Sequence, residues 1–219
     1  MVNRYNPDIH HRRSIRLKTY DYSRAGKYFL TICAHNRECL FGSIENGVMV
    51  LNRAGEIVAD AWAKTAEIRN EIELDQWVVM PNHFHGILVI IEGRGTAPGR
   101  GTARHIEGRG TARRIEGRGT ARRAPTAERF GHPVAGSIPT IIRSFKSAVT
   151  KHINELRKTP GHPVWQRNYY EHIIRDEADY GRIAEYIADN PRRWADDSLN
   201  PDNMAVRAPG VAGGAVYGG

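Results

Sequence analysis

The chain has 219 residues, with 32 Lys and Arg against 24 Asp and Glu, a formal net charge of +8, and two cysteines. That length admits one domain with appendages. No apolar run approaches the length of a membrane span, and the N-terminus has no apolar signal region; the expectation is a cytoplasmic protein with no membrane partner.

Cys33 and Cys39 are too few and wrongly spaced for a zinc knuckle or a disulfide framework, and they read as free thiols. The charge suggests a polyanionic partner, but it is unevenly spread. Between Ile91 and Phe130 there are ten Arg and four Glu, which holds most of the excess. A nucleic-acid reading of the folded part must therefore come from site chemistry, not from bulk charge.

Residues 1–20 carry Arg4, His10, His11, Arg12, Arg13, Arg16 and Lys18. They form either a solvated, frayed terminus or a basic arm that follows a phosphate backbone. Tyr28 to Cys33 is rich in β-branched and aromatic residues and reads as a buried strand. Turn signals at Phe41-Gly42 and Glu45-Asn46-Gly47 bracket a short strand and lead to Val48–Leu51, a hairpin. From Asn52, a plausible N-cap, the period turns helical: Ile57, Val58, Ala61, Trp62 and Ile68 share a face. Ile72–Met80 returns to strand. After Pro81 a further strand, His83–Ile90, is expected as its antiparallel neighbour.

Residues 91–130 are of low complexity. The nonapeptide IEGRGTARR at 106–114 is repeated residue for residue at 115–123. Each unit offers one Ile and two Gly among Arg and Thr, too little apolar surface to offset chain entropy. The segment reads as a flexible basic insertion. From Ser137 to Leu156 the helical period is clear, with Ile138, Ile142, Phe145, Val149, Ile153 and Leu156 on one face. Ser137 is the expected cap and Pro139 suits the first turn. Arg143 and Lys146 lie off the apolar stripe, on a face suited to solvent or to phosphate.

His172–Arg175 reads as a short strand. Asp176 caps a helix to about Asn190, with Tyr180, Ile183 and Ile187 on its buried face, and Pro191 ends it. Residues 198–219, rich in Gly, Ala and Val without periodicity, are expected to form a disordered tail. Without the insertion the order is β, hairpin, α, β, β, α, β, α. It implies an α+β, ferredoxin-like sandwich with a mostly antiparallel sheet and helices packed on it, spanning 21–197 and interrupted at 91–130.

Two stretches carry chemistry. In Pro81-Asn82-His83-Phe84-His85-Gly86 the two histidines alternate on a strand, so both imidazoles share a face. In Tyr186-Ile187-Ala188-Asp189-Asn190-Pro191 the Tyr and Asn stand at i and i+4 on a helix, one turn apart. His83, His85 and the Asn190 carboxamide oxygen would leave open positions on a divalent cation. The set suits Mg²⁺ or Mn²⁺ on a phosphate oxygen, and zinc fits the same donor types. Tyr186 would stand beside the cation. Each feature also has an ordinary structural reading: a core aromatic for Tyr186, a helix terminator for Asn190.

WVVMPNHFHG at 77–86, WQRNYYEHIIRDE at 165–177 and EYIADNPRRW at 185–194, in this order, resemble the REP-associated tyrosine transposases. These are single-tyrosine members of the nuclease superfamily named for its His-hydrophobic-His motif. The similarity covers about 1–91 and 131–197. It implies that His83 and His85 are metal ligands, Asn190 the third ligand and Tyr186 the nucleophile, with His172 beside the site without a step of its own. Insertion-sequence relatives often have Gln where Asn190 stands. The resemblance further implies cleavage of single-stranded DNA at the foot of palindromic hairpins through a covalent 5′-phosphotyrosine, by a monomer or homodimer. Arg12, Arg13, Arg16, Lys18, Arg143 and Lys146 are the expected DNA contacts. The alternatives are a hairpin-DNA-binding regulator that has lost cleavage and a phosphoesterase that uses metal-activated water.

Overall fold

The computed structural model describes residues 21–91 and 134–206. The expectations for the arm with Arg12, Arg13, Arg16 and Lys18, and for the repeats beyond Ile91, lie outside the described residues.

The elements are β1 (Gly26–Cys33), β2 (Gly42–Glu45), β3 (Val48–Leu51), α1 (Arg53–Glu67), β4 (Ile72–Met80), β5 (His83–Ile90), α2 (Ile138–Arg157), β6 (Tyr170–Ile174), α3 (Glu177–Asp189) and α4 (Pro201–Val206). Local chemistry accounts for several boundaries. Asn46 and Gly47 both have positive φ, as a tight hairpin between β2 and β3 requires. The Asn52 carboxamide accepts from the Ala54 and Gly55 amides, and the Asp176 carboxylate accepts from the Asp179 amide, capping α1 and α3. Ser137 stands at the N-cap of α2, but its hydroxyl pairs with the Thr140 hydroxyl instead of capping the helix amides.

Four strands form one sheet in the order β4-β5-β1-β6, every pair antiparallel. Helices α1 and α2 link β1 to β4 and β5 to β6 and pack on each other. Strand alternation then sorts the side chains. Tyr28, Leu30, Ile32, Phe84 and Leu88 meet α1 and α2 in the larger core. Phe29, Ile87 and Ile174 face the other way and meet Ile187 of α3. This is the expected α+β, ferredoxin-like layering, with α3 added on the second face.

The larger core explains why the histidine strand is rigid. Phe84, between the two histidines, is fully buried and packs 4.7 Å from the Trp62 ring and 5.7 Å from the Phe145 ring. A Cβ on Gly86 would come within 2.9 Å of Phe84, so the glycine leaves the ring its place over the strand. Anchoring Phe84 on one face fixes the azimuth of His83 and His85 on the other.

Two apolar stripes end earlier than their spacing implies. Ile68 is 73 % exposed and Leu156 48 % exposed. Each lies at a helix end, where no neighbouring layer reaches it. Residues 198–206, expected to begin a disordered tail, instead form a turn and α4. The Asp197 and Asn200 side chains accept backbone amides there, and Asn200 is buried. Local capping by Asp and Asn, which hydropathy does not register, is the reason.

Candidate active site

Strand β5 runs between β4 and β1 and is buried along nearly its whole length. His83 and His85 are buried, with ring centroids 4.5 Å apart. Each ring is held through Nδ1. The Asn82 carboxamide oxygen lies 2.8 Å from His83 Nδ1, and the Thr31 hydroxyl 2.9 Å from His85 Nδ1. Thr31 reaches His85 because the two are direct cross-strand partners. Phe29 stacks on His85 at 5.4 Å. These contacts leave both Nε2 atoms pointing into one space.

Helix α3 lays its C-terminal half over that space. The hydroxyl of Tyr186 is 3.3 Å from His85 Nε2. Asn190, one turn further on, is buried, with its amide beside His83 and the Tyr186 hydroxyl. The structure thus brings together His83, His85, Tyr186 and Asn190 from two elements about a hundred residues apart.

It adds Asp197. Its carboxylate lies 3.8 Å from His83 Nε2, and His83, His85 and Asp197 offer ligand atoms all within 4.8 Å of one another. This group can hold a metal ion. Spacing offers no route to Asp197: it sits in an irregular turn and resembles any surface acid. The turn is closed by the Leu199 amide donating to Asp197 Oδ1 at 2.6 Å, which aims Oδ2 inward. Asn82 ties this turn to the strand, donating to the carbonyls of Leu199 at 2.7 Å and Arg37 at 3.1 Å. Asn82 stands inside the histidine motif, and its role was equally invisible to spacing.

Three atoms at the centre test whether the residues fit a cation. His83 Nε2, Asn190 Oδ1 and Asp197 Oδ2 are buried and, among the described residues, have no hydrogen-bond partner. Buried polar atoms are nearly always satisfied. Three converging orphans, two oxygens and one imidazole nitrogen, fit a divalent cation. Electrostatics agrees. Burial, reinforced by His85, pushes the His83 imidazole well below its ordinary range, and burial brings His85 down to about 3. Both are neutral near pH 7, the form in which an imidazole can ligate a metal. The 3.8 Å approach of Asp197 to His83 is therefore not an ion pair. Burial pushes the Tyr186 phenol up, as does Asp197, while Asn190 and Arg193 oppose the shift.

The remaining expected site residues lie elsewhere. His172 shares the sheet face of the pair, but its Nε2 is 2.8 Å from Asp179 Oδ2 in the first turn of α3. It joins β6 to the helix that bears Tyr186. Lys146 turns its ammonium onto the carbonyls of Gln166, Arg167 and Asn168, and burial brings it down to about 8. Arg143 is exposed on α2, the layer opposite the histidines. Cys33 and Cys39 are both free. Among the described residues no helix is long and apolar enough to cross a membrane.

No protein-family model matches the chain. Solved structures similar to it include two transposase-like proteins by their descriptions. One is a REP-associated tyrosine transposase bound to a REP hairpin, at 18 % identity and a TM-score of 0.49, covering 92 % of this chain and 96 % of the other. The second is a Deinococcus radiodurans protein described as a candidate transposase, at 16 % identity and a TM-score of 0.39, covering 79 % and 96 %. An uncharacterized protein of Haemophilus influenzae is 41 % identical over 205 residues, which is 92 % of this chain and the whole of the relative. At that identity and coverage, the chain belongs to the same family as the Haemophilus influenzae protein.

Proposed function

We propose that the chain is a transposase: a metal-dependent endonuclease and strand transferase for single-stranded DNA at palindromic hairpins. The observation that carries the proposal is the Tyr186 hydroxyl, 3.3 Å from His85 Nε2, beside three orphaned ligand atoms. The motifs at 77–86, 165–177 and 185–194 support the substrate class by their resemblance to REP-associated tyrosine transposases.

His83, His85 and Asn190 would hold Mg²⁺ or Mn²⁺, with Asp197 as a further oxygen ligand. The cation, when bound, supplies positive charge that polarises the scissile phosphate and favours the phenolate. Tyr186 then attacks phosphorus. The bond from its oxygen to phosphorus forms, the bond from phosphorus to the 3′ oxygen breaks, and the 3′ oxygen takes up the proton given up by the phenol. The 5′ phosphate stays on Tyr186 as a diester, so the energy of the cut bond is conserved. Attack by another strand's 3′ hydroxyl reverses the step and joins new ends.

Residues 21–197 form the catalytic domain in this reading. The basic arm at 1–20 and exposed Arg143 supply phosphate contacts, and Lys146 braces the 166–168 loop. The protein works in the cytoplasm, on the nucleoid, as a monomer or homodimer. The test is a denaturing gel of protein with labelled hairpins from the repeats flanking its own gene, with Mn²⁺ or with chelator. A metal-dependent adduct absent in Tyr186→Phe is expected. Cleavage with free ends that persists in that variant would replace the tyrosine by water. Salt-sensitive binding without cleavage would favour a regulator.

A further inference from the structure

Among the described residues three large aromatic side chains are exposed: Trp77, Tyr170 and Tyr186. Trp77 stacks against Phe84 and so belongs to the opposite face of the sheet. Tyr170 does not. Its cross-strand partner is Thr31, whose partner in turn is His85. Tyr170, Thr31 and His85 therefore form one row across the sheet and point to the same side. Tyr170 ends that row on the edge strand, 51 % exposed.

One ring links the two exposed tyrosines. Phe29 lies 6.4 Å from Tyr170 at 69° and 6.1 Å from Tyr186 at 85°, edge-on to both, while it stacks on His85. The rings of Tyr170 and Tyr186 are thus at most about 12.5 Å apart, a short step along an extended single strand. Phe29 braces one side of Tyr170 and leaves a broad aromatic surface open beside the reacting hydroxyl. A tyrosine with only a packing role would bury its ring. An exposed ring at the rim of a nucleic-acid site is what a flat, unpaired base requires.

We propose that Tyr170 is a stacking subsite for an unpaired nucleobase next to the scissile phosphate, and that it positions the single strand for attack by Tyr186. The proposal rests on the functional reading above. It makes Tyr170 a positioning residue, selective for unpaired over paired DNA, because a base in a duplex is already stacked.

Two measurements test it. In the first, 2-aminopurine is walked through the nucleotides flanking the cleaved phosphate of the hairpin strand, bound to the non-cleaving Tyr186→Phe protein. Quenching at one or two adjacent positions is expected, lost when Tyr170→Ala is added and kept with Tyr170→Trp. Quenching unchanged by Tyr170→Ala would overturn the proposal. In the second, adduct formation is timed. Tyr170→Ala should slow it about ten- to a hundredfold at subsaturating DNA, with the rate recovering at saturation, while Tyr170→Phe reacts as wild type. An abasic site at the quenched position should cost wild type the same factor and cost Tyr170→Ala nothing more; losses that multiply would refute stacking. The two readings fail separately. A wild-type protein that forms no adduct, yet quenches through Tyr170, removes the nuclease and leaves the subsite. A normal adduct from Tyr170→Ala removes only the subsite.

Discussion

Asn82→Ala separates the frame of the site from its reacting groups. Asn82 is fully buried and touches three elements: His83 Nδ1 at 2.8 Å, the Leu199 carbonyl at 2.7 Å and the Arg37 carbonyl at 3.1 Å. The alanine leaves one imidazole N–H and two carbonyls short of a partner. At about 1 kcal/mol for each lost bond, the fold should lose about 3 kcal/mol, or about 10 °C in Tm for a chain of this size. The second effect is on the metal. Asn82 fixes His83 so that Nε2 carries the lone pair, and it holds the turn that presents Asp197. Loss of such a supporting residue weakens metal binding about ten- to a hundredfold. Thermal melting in chelator reads the first effect and Mn²⁺ titration calorimetry the second. Asn82→Asp keeps the oxygen facing His83 but loses both donations, so it should fall in stability while retaining more of the affinity. Mn²⁺ affinity in Asn82→Ala within about twofold of wild type would refute the positioning role.

Three further outcomes follow from the same geometry. Asp197→Asn should have effects of opposite sign. It keeps the bond from the Leu199 amide and removes an unpaired buried charge, so the metal-free protein should melt no lower than wild type, while Mn²⁺ binding weakens; a lower metal-free Tm would contradict the orphaned carboxylate. Acid should destabilise the metal-free fold through His85. Its folded pKa is about 3 against 6.5 for the free side chain, so below 6.5 the unfolded chain binds the extra proton. Stability is then full above 6.5 and falls as pH drops towards 3. From pH 7 to 5 the loss from His85 alone is about 2 kcal/mol. Urea unfolding of wild type and His85→Gln at both values checks it: the variant should lose the His85 share of the slope and keep the share of His83, which burial also lowers. Gly55→Ala should destabilise the fold by about 3 kcal/mol or more, because the added Cβ would overlap the Phe41 carbonyl oxygen and press on Leu51 at 2.9 Å. Circular dichroism melting reads it, and a wild-type Tm would show that the backbone approach is not tight.

Much of the molecule is written locally. Asn52 and Asp176 cap their helices through their own side chains, and Asn46-Gly47 turns a hairpin because both positions tolerate positive φ. Alternation alone places His83 and His85 on one face, and helical spacing places Asn190 one turn beyond Tyr186. Those relations span at most four residues, and backbone geometry enforces them wherever the chain goes. The order of strands and helices likewise implies the antiparallel sandwich.

What the sequence could not decide is which distant groups meet. The register of β1 against β5 sets Thr31 opposite His85, and that of β1 against β6 sets Tyr170 at the end of the same row. A slip of one residue would reverse every one of those side chains. The route of α3 across the sheet, pinned by His172 to Asp179 and by the Tyr180 hydroxyl to Asp75, is what brings Tyr186 to His85. Asp197 reaches the histidines only because Asn82 clasps the 199 carbonyl across more than a hundred residues. Helix ends such as Ile68 and Leu156 are exposed because no neighbouring layer extends that far. Each of these depends on contacts between segments remote in the chain, where no periodicity connects one residue to the other and only packing selects the partner.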